Sequence, residues 1–307
     1  MSSLFNQSLV SASQLDQGLL SQIFTLASHY KRKVAEQGVL DILSDKLMAS
    51  LFFEPSTRTR LSFESAMQRL GGRVIGFSDA STTSLAKGET LEDTIKMVMQ
   101  YTDLIVMRHP QKGAAQRAVE VSSVPILNAG DGDGEHPTQA CLDAYTIFEQ
   151  KHSLQGLKVA FVGDLKFGRT VHSLCQILNQ YNSELFFVSP KTLGMPEWIL
   201  QKLDSSRYSQ TESLEEVISE VDVLYMTRIQ KERFKSEDEY KKYKGVYIIN
   251  RDAITKMKSD SILMHPLPRV DEIDPEVDTD SRAMYFEQAK NGMYVRMALL
   301  TMVFGKA

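Results

Sequence analysis

Cysteine is scarce in this chain. Cys141 and Cys175 are the only two, far apart and outside any CxxC or Cys/His spacing. Neither a disulfide framework nor a zinc site is signalled, and a reducing compartment fits best. Long apolar runs are also missing: nowhere do eighteen apolar residues follow one another, so no membrane-spanning helix is expected. The opening segment has no basic stretch followed by an apolar run, which leaves the cytoplasm as the expected location. Excess charge is lacking too. With 35 basic and 39 acidic residues the net charge is only −4, which predicts no strong pull toward nucleic acid or an acidic membrane. Any anion must be held by local clusters of Arg and Lys. Internal repeats, low-complexity stretches and coiled-coil heptads are absent as well.

What is present is ordinary globular sequence, 42% hydrophobic and 24% charged. The 307 residues are about twice the usual domain size, so two domains are expected. Residues 46–53 are nearly continuous in apolar side chains, as a parallel strand covered on both faces requires, and end at Glu54-Pro55. Phe63, Ala66, Met67 and Leu70 then follow helical spacing up to Gly71-Gly72. Strand-like segments 73–77, 104–107 and 125–127 alternate with helical stretches 91–100 and 114–120, the βαβα pattern of a parallel sheet. A long helix over 137–150 leads to a second series: strand 157–162, helix 168–181, strand 184–188 and further elements up to a strand at 262–264. The fold class is therefore α/β, with two doubly wound parallel sheets flanked by helices. The domains are expected at 1–150 and 151–284. The last helical pattern, through Phe286, Ala289, Met293, Met297, Leu300 and Phe304, is long enough to return to the first domain, adding 285–307 to it.

In an open parallel sheet ligands bind beyond the carboxyl ends of the strands, so the polar residues just after strands are read first. Ser56, Thr57, Arg58, Thr59 and Arg60 sit where a strand meets a helix N-terminus. Unpaired backbone N–H groups, a helix dipole, three hydroxyls and guanidinium groups make this a phosphate cradle without Walker glycines. The bland alternative is that Ser56 or Thr57 merely caps the helix and the arginines are solvated. A second cluster weighs against it. Strand 104–107 delivers Arg108-His109-Pro110, and strand 125–127 is followed by a Gly-rich loop, 128–135, that ends in His136. His136 and Gln139 lie one helical turn apart and can face one small polar ligand.

These segments, together with Phe52-Phe53-Glu54-Pro55 before the turn and His136-Pro137-Thr138-Gln139, resemble the signatures of the aspartate/ornithine carbamoyltransferase family. The resemblance extends along the chain through Ser84-Leu85-Ala86-Lys87-Gly88, residues 162–173, Thr227-Arg228-Ile229-Gln230 and His265-Pro266-Leu267-Pro268-Arg269. The ornithine branch carries His-Cys-Leu-Pro at the last motif and a Ser-Met-Gly loop; this chain has His265-Pro266-Leu267-Pro268 and no such loop. The resemblance thus implies transfer of a carbamoyl group from carbamoyl phosphate to L-aspartate, an early step of pyrimidine biosynthesis, with no cofactor and no metal.

Carried over motif by motif, the resemblance assigns Ser56, Thr57, Arg58, Thr59 and Arg108 to carbamoyl phosphate, with His136 and Gln139 near its carbonyl and amide. Lys87, Arg169, Arg228 and Gln230 are implied for aspartate. Two guanidinium forks suit a dicarboxylate. Pro266 and Leu267 resemble residues whose backbone carbonyls meet the substrate amine. Ser84 and Lys87 resemble residues that reach the neighbouring subunit's site in a homotrimer; the loop reads one residue shorter than in members with two adjacent lysines. Glu54, with Arg169 and Arg233, is expected to latch a closed form. A separate zinc-containing regulatory chain, giving a dodecamer, is a partner the resemblance leaves open.

Two segments invite other readings. Residues 162–168 follow a strand and open a helix as a dinucleotide loop would, but lack G-x-G-x-x-G and place large side chains where a pyrophosphate must approach. The charged stretch 231–244 reads as a solvated loop, or by resemblance as a mobile one that closes over aspartate. Two alternatives stand beside the main reading: another amino-acid acceptor, or a non-catalytic paralogue, which should have lost charged residues at these motifs.

Overall fold

Hydrophobic patterning of period near one in the strands and near 3.6 between them produces two separate parallel sheets. The computed structural model describes residues 4–231, 234 and 236–307, with position 239 described by its backbone alone. The chain divides into two units, Met1–Tyr145 with Ala289–Ala307, and Thr146–Gln288. Both divisions fall inside helices, α5 and α10 below, rather than in linkers.

The first unit opens with α1 (Gln17–Gln37), capped by the Asp16 carboxylate on the Leu19 N–H. It continues with β1 (Leu47–Phe52), α2 (Thr57–Arg69), β2 (Arg73–Phe77), α3 (Leu91–Val98), β3 (Leu104–His109), α4 (Ala114–Val121), β4 (Ile126–Asp131) and α5 (Pro137–Lys151). The sheet order is β2-β1-β3-β4, all parallel. β1 and β3 lie inside and are almost wholly buried, whereas edge strand β2 is largely exposed. Ala49, Leu51, Ile105 and Met107 pack with Ile95 and Ala118 as one core.

Strand β4 runs past the expected 125–127 and takes in Asn128, Ala129, Gly130 and Asp131. The Asn128 side chain accepts the Gly130 N–H at 2.8 Å, and the His109↔Asp131 pairing resumes after a register shift. A side chain and a bulge therefore keep in the sheet a stretch that its glycines mark as loop.

The second unit contains β5 (Lys158–Val162), α6 (Arg169–Gln180), β6 (Glu184–Val188), α7 (Glu197–Leu200), β7 (Tyr208–Thr211), β8 (Val223–Met226), α8 (Glu237–Lys241), α9 (Arg251–Lys256) and β9 (Ile262–Met264). Its sheet order is β7-β6-β5-β8-β9, again all parallel. Val171, Leu174, Cys175 and Leu178 of α6 bury one helical stripe. The core gathers Ala160, Val162, Leu224, Met226, Ile249 and Leu263.

The final helix α10 (Tyr285–Val303) leaves the second unit and returns to the first. There Arg296 donates to Ser62 Oγ at 2.8 Å, Lys31 reaches Asn291 at 3.2 Å and Tyr30 bonds Thr301 at 3.0 Å. Among the described residues no helix is long and apolar enough to cross a membrane.

Candidate active site

In the first unit, parallel order places the carboxyl ends of β1, β3 and β4 side by side, and each delivers predicted residues. Ser56 takes the N-cap position of α2 in extended conformation, yet its hydroxyl makes no capping hydrogen bond. The bland role of a helix cap is thus not the one its side chain performs. The N–H groups of the first turn have no partner within the helix. Thr57 and Arg58 are exposed, Ser56 is half-buried and Thr59 is buried.

Beside this turn, Arg108 at the end of β3 forms an ion pair with Glu54, Nη2 to Oε1 at 2.7 Å. Its Nη1 donates to the Ala129 carbonyl on β4 at 3.4 Å. One guanidinium therefore links the segment after β1 and strands β3 and β4. Glu54, expected to answer Arg169 and Arg233, forms this pair with Arg108 within the first unit, and Arg233 lies outside the described residues.

After β4 the chain turns through Gly132, whose φ is +49°, where a Cβ would come within 2.8 Å of the Lys112 N and the Pro110 carbonyl. Only glycine fits that approach. The turn is pinned by buried Asp131, whose Oδ1 accepts from Glu135 N at 3.0 Å and Asn128 Nδ2 at 3.3 Å. Its Oδ2 accepts from Gly113 N at 2.7 Å. The turn delivers His136, buried to 3% exposure, at the mouth of α5. Gln139 follows, and its Nε2 donates to buried Asp143 at 2.9 Å, which leaves the Oε1 end of the amide as the one offered elsewhere. Ser84 and Lys87 are exposed on a 3-10 turn beyond edge strand β2, capped by Thr83 and closed by Gly88 in the left-handed region.

In the second unit the ends of β5, β8 and β9 are neighbours in the same way. Thr227, just after β8, donates both its N–H and its hydroxyl to the Val162 carbonyl, at 2.8 and 3.0 Å. Gly163 has φ +118°, and a Cβ there would stand 2.3 Å from the Thr227 carbonyl. The post-β5 and post-β8 segments are thereby sewn together. Gln230 Nε2 donates to the Phe167 carbonyl at 3.1 Å, next to Arg169, which opens α6. Arg169, Arg228 and Gln230 are all half-buried. After β9 come His265, buried, and Pro266 and Leu267, half-buried; Leu267 has φ +55° and a cis bond to Pro268. Arg269 is committed to Asp278 through both its terminal nitrogens.

Three residues that organise these clusters escaped sequence reasoning. Asp131 was legible only as part of a Gly-rich loop, though an acid flanked by glycines after a strand is a usual N–H acceptor. Asp143, four residues after Gln139, carried the i,i+4 signal. Glu272, whose Oε1 lies 2.7 Å from buried His265 Nε2, carried none, because that partner is reached only through the fold. Among the described residues no three His, Cys, Asp or Glu side chains group as a metal site.

These two units make an α/β protein of the class that gathers cations and backbone donors at the carboxyl edges of parallel sheets to take anionic ligands. Two family models match it in succession: the aspartate/ornithine carbamoyltransferase carbamoyl-P binding domain over residues 7–149, and the corresponding Asp/Orn binding domain over 155–303. The aspartate carbamoyltransferase catalytic subunit of Thermoplasma acidophilum is 50% identical over 303 residues, 98% of this chain and 99% of the relative. That of Chromobacterium violaceum is 56% identical over 268 residues, 87% and 88% of the two chains. Among solved structures, aspartate transcarbamoylase from Trypanosoma cruzi in complex with carbamoyl phosphate and aspartate superposes with a TM-score of 0.93 at 43% identity. It covers 98% of this chain and 97% of that one. The chain belongs to the aspartate/ornithine carbamoyltransferase family.

Proposed function

We propose that the chain is the catalytic polypeptide of an aspartate carbamoyltransferase, making N-carbamoyl-L-aspartate and phosphate for pyrimidine biosynthesis. The observation that carries this reading is the 50% identity, across almost the whole of both chains, to a relative of that name. The turn at Ser56, Thr57, Arg58 and Thr59, with Arg108, holds carbamoyl phosphate. Thr59, Arg108 and His136 polarise its carbonyl, and the Oε1 end of Gln139 accepts from its amide. Arg169, Arg228 and Gln230 hold the two carboxylates of aspartate, while the carbonyls of Pro266 and Leu267 accept N–H from its amine.

The amine lone pair attacks the carbamoyl carbon, and the carbonyl oxygen takes up negative charge. The C–O bond to phosphate then breaks with its electron pair, and the amine proton goes to the departing phosphate. No protein nucleophile is needed, so catalysis comes from positioning and from donors aimed at the oxyanion. Arg58 and Lys87 offset charge on the phosphate.

In the same proposal, Ser84 and Lys87 serve a neighbouring copy's site in a homotrimer. Their exposure on an edge-strand turn supports that role. A conformational change that brings the substrates together, with Glu54 answering Arg169 and Arg233, belongs to it as well, and a zinc-containing regulatory chain is an open partner of the trimer. The reading is tested by incubating the purified chain with carbamoyl phosphate and each of a panel of amino acids. Aspartate alone should give a carbamoylated product at a substantial rate. A faster reaction with ornithine, or none with any amino acid, contradicts it.

A further inference from the structure

His265 and Glu272 are both nearly sealed from solvent, with 1% and 7% of their side-chain surface exposed. His265 Nε2 lies 2.7 Å from Glu272 Oε1. On the other edge of the ring, the Leu267 N–H donates to Nδ1 at 2.8 Å. Nδ1 must therefore offer a lone pair, which puts the ring proton on Nε2, where it is donated to Glu272. The second carboxylate oxygen, Oε2, accepts the N–H groups of Val270 and Asp271, both at 3.1 Å. The Glu272 carbonyl accepts from Ile249 at 2.9 Å, and the His265 N–H donates to buried Gln288 at 2.9 Å. The ring can neither turn over nor take a second proton without losing Leu267.

The N–H of Leu267 belongs to the same planar peptide as the carbonyl of Pro266, and in a trans peptide the two point in opposite directions. Holding that N–H on His265 thus aims the Pro266 carbonyl away from the ring. Leu267 itself has φ +55°, a region a leucine keeps only where its surroundings hold it there.

We propose that Glu272 and His265 are positioning residues for carbamoyl transfer: through the Leu267 N–H they fix the plane of the 266–267 peptide and so the carbonyl offered to the substrate amine. This rests on the role proposed above for Pro266 and Leu267.

Two replacements of His265 separate positioning from bulk packing. Asn places an oxygen where Nδ1 stands and still accepts from Leu267, whereas Gln can still donate to Glu272 but leaves Leu267 without its acceptor. In the full chain, His265→Gln should raise the KM for aspartate about tenfold or more, the size of one lost positioning hydrogen bond. The KM for carbamoyl phosphate should stay within about twofold, and His265→Asn should recover most of the loss. Equal losses in both variants, or an unchanged aspartate KM in His265→Gln, overturn the proposal. Nitrogen-15 spectra of histidine-labelled wild-type chain provide a reading that needs no variant to fold. They should show His265 with a bare Nδ1 and a protonated Nε2 throughout neutral pH, and a titrating ring or a protonated Nδ1 would overturn it. If the wild type makes no carbamoyl-aspartate, the functional reading beneath falls and takes the positioning role with it, while the tautomer result stands apart.

Discussion

Glu54 Oε1 and Arg108 Nη2 lie 2.7 Å apart, joining the segment after β1 to the end of β3. The side chains are only 25% and 14% exposed, so the pair is largely shielded from solvent, and the cost of desolvating both charges offsets much of their attraction. Its use is to orient a guanidinium that also touches the β4 carbonyl of Ala129. Glu54→Ala should lower turnover between about ten- and a hundredfold, less than the hundred- to thousandfold typical of deleting an oxyanion donor such as Arg108. The melting temperature should fall by several degrees, because the shielded Arg108 loses this counter-charge. Steady-state kinetics and a thermal melt check both, and normal turnover would remove Glu54 from the account.

Arg58 stands exposed in the first turn of α2, where its loss removes charge from the phosphate end without opening the core. Arg58→Ala should cut turnover by about a hundredfold or more while circular dichroism stays that of the wild type. Near-normal activity in this variant would show that the cradle is elsewhere.

Gln230 reaches the Phe167 carbonyl beside Arg169, which ties the expected aspartate ligands of β5 and β8 into one group. Arg228→Ala and Gln230→Ala should each raise the KM for aspartate at least about tenfold. The KM for carbamoyl phosphate should change little. Matching rises for both substrates would contradict the assignment of the second unit to aspartate.

Much of this was legible in the sequence because it depends on local chemistry. The apolar run 46–53 and the helical spacing of Phe63, Ala66 and Met67 state a strand and a helix without help from distant residues, although Thr57, Arg58 and Thr59, which read as a turn, already form the first turn of that helix behind the N-cap Ser56. The order in which strands pair is not local, and with it went the partners of charged groups. Nothing in the chain says that β3 lies beside β1, so the Glu54–Arg108 pair could not be read. The same holds for Glu272, whose meaning depends on folding back to His265. The extension of β4 to Asp131 was hidden for another reason: glycines that read as loop are accommodated by the Asn128 side chain and a bulge.

Close approach at Gly163 gives a stability test. A Cβ at 2.3 Å from the Thr227 carbonyl must push β5 and β8 apart, in a backbone region that alanine already disfavours. Gly163→Ala should destabilise the chain by roughly 3 kcal/mol in a urea titration. An unchanged midpoint would mean that the two segments part more easily than their hydrogen bonds imply.

Glu272 predicts a pH dependence. Burial pushes its carboxyl up from the ordinary 4.5, but the bond from His265 and the N–H groups around it outweigh burial and hold it lower. A carboxyl whose folded pKa is depressed stabilises the fold above its unfolded pKa, and that contribution is lost as pH falls through the folded value. The stability gap between wild type and Glu272→Gln should therefore be full at neutral pH and shrink progressively below about pH 4.5. A gap that stays constant into acid would show that the charge of Glu272 does not matter.

Attack by the amine on the carbamoyl carbon, with phosphate as the leaving group, is tested most directly by isotope placement. Carbamoyl phosphate carrying oxygen-18 in the bridging position between carbon and phosphorus is turned over with L-aspartate, and the products are weighed by mass spectrometry. One N-carbamoyl-L-aspartate should appear per phosphate, with the label in the phosphate, because the carbon–oxygen bond breaks. Label left on the carbon side, or phosphate released without carbamoyl-aspartate, would contradict the account.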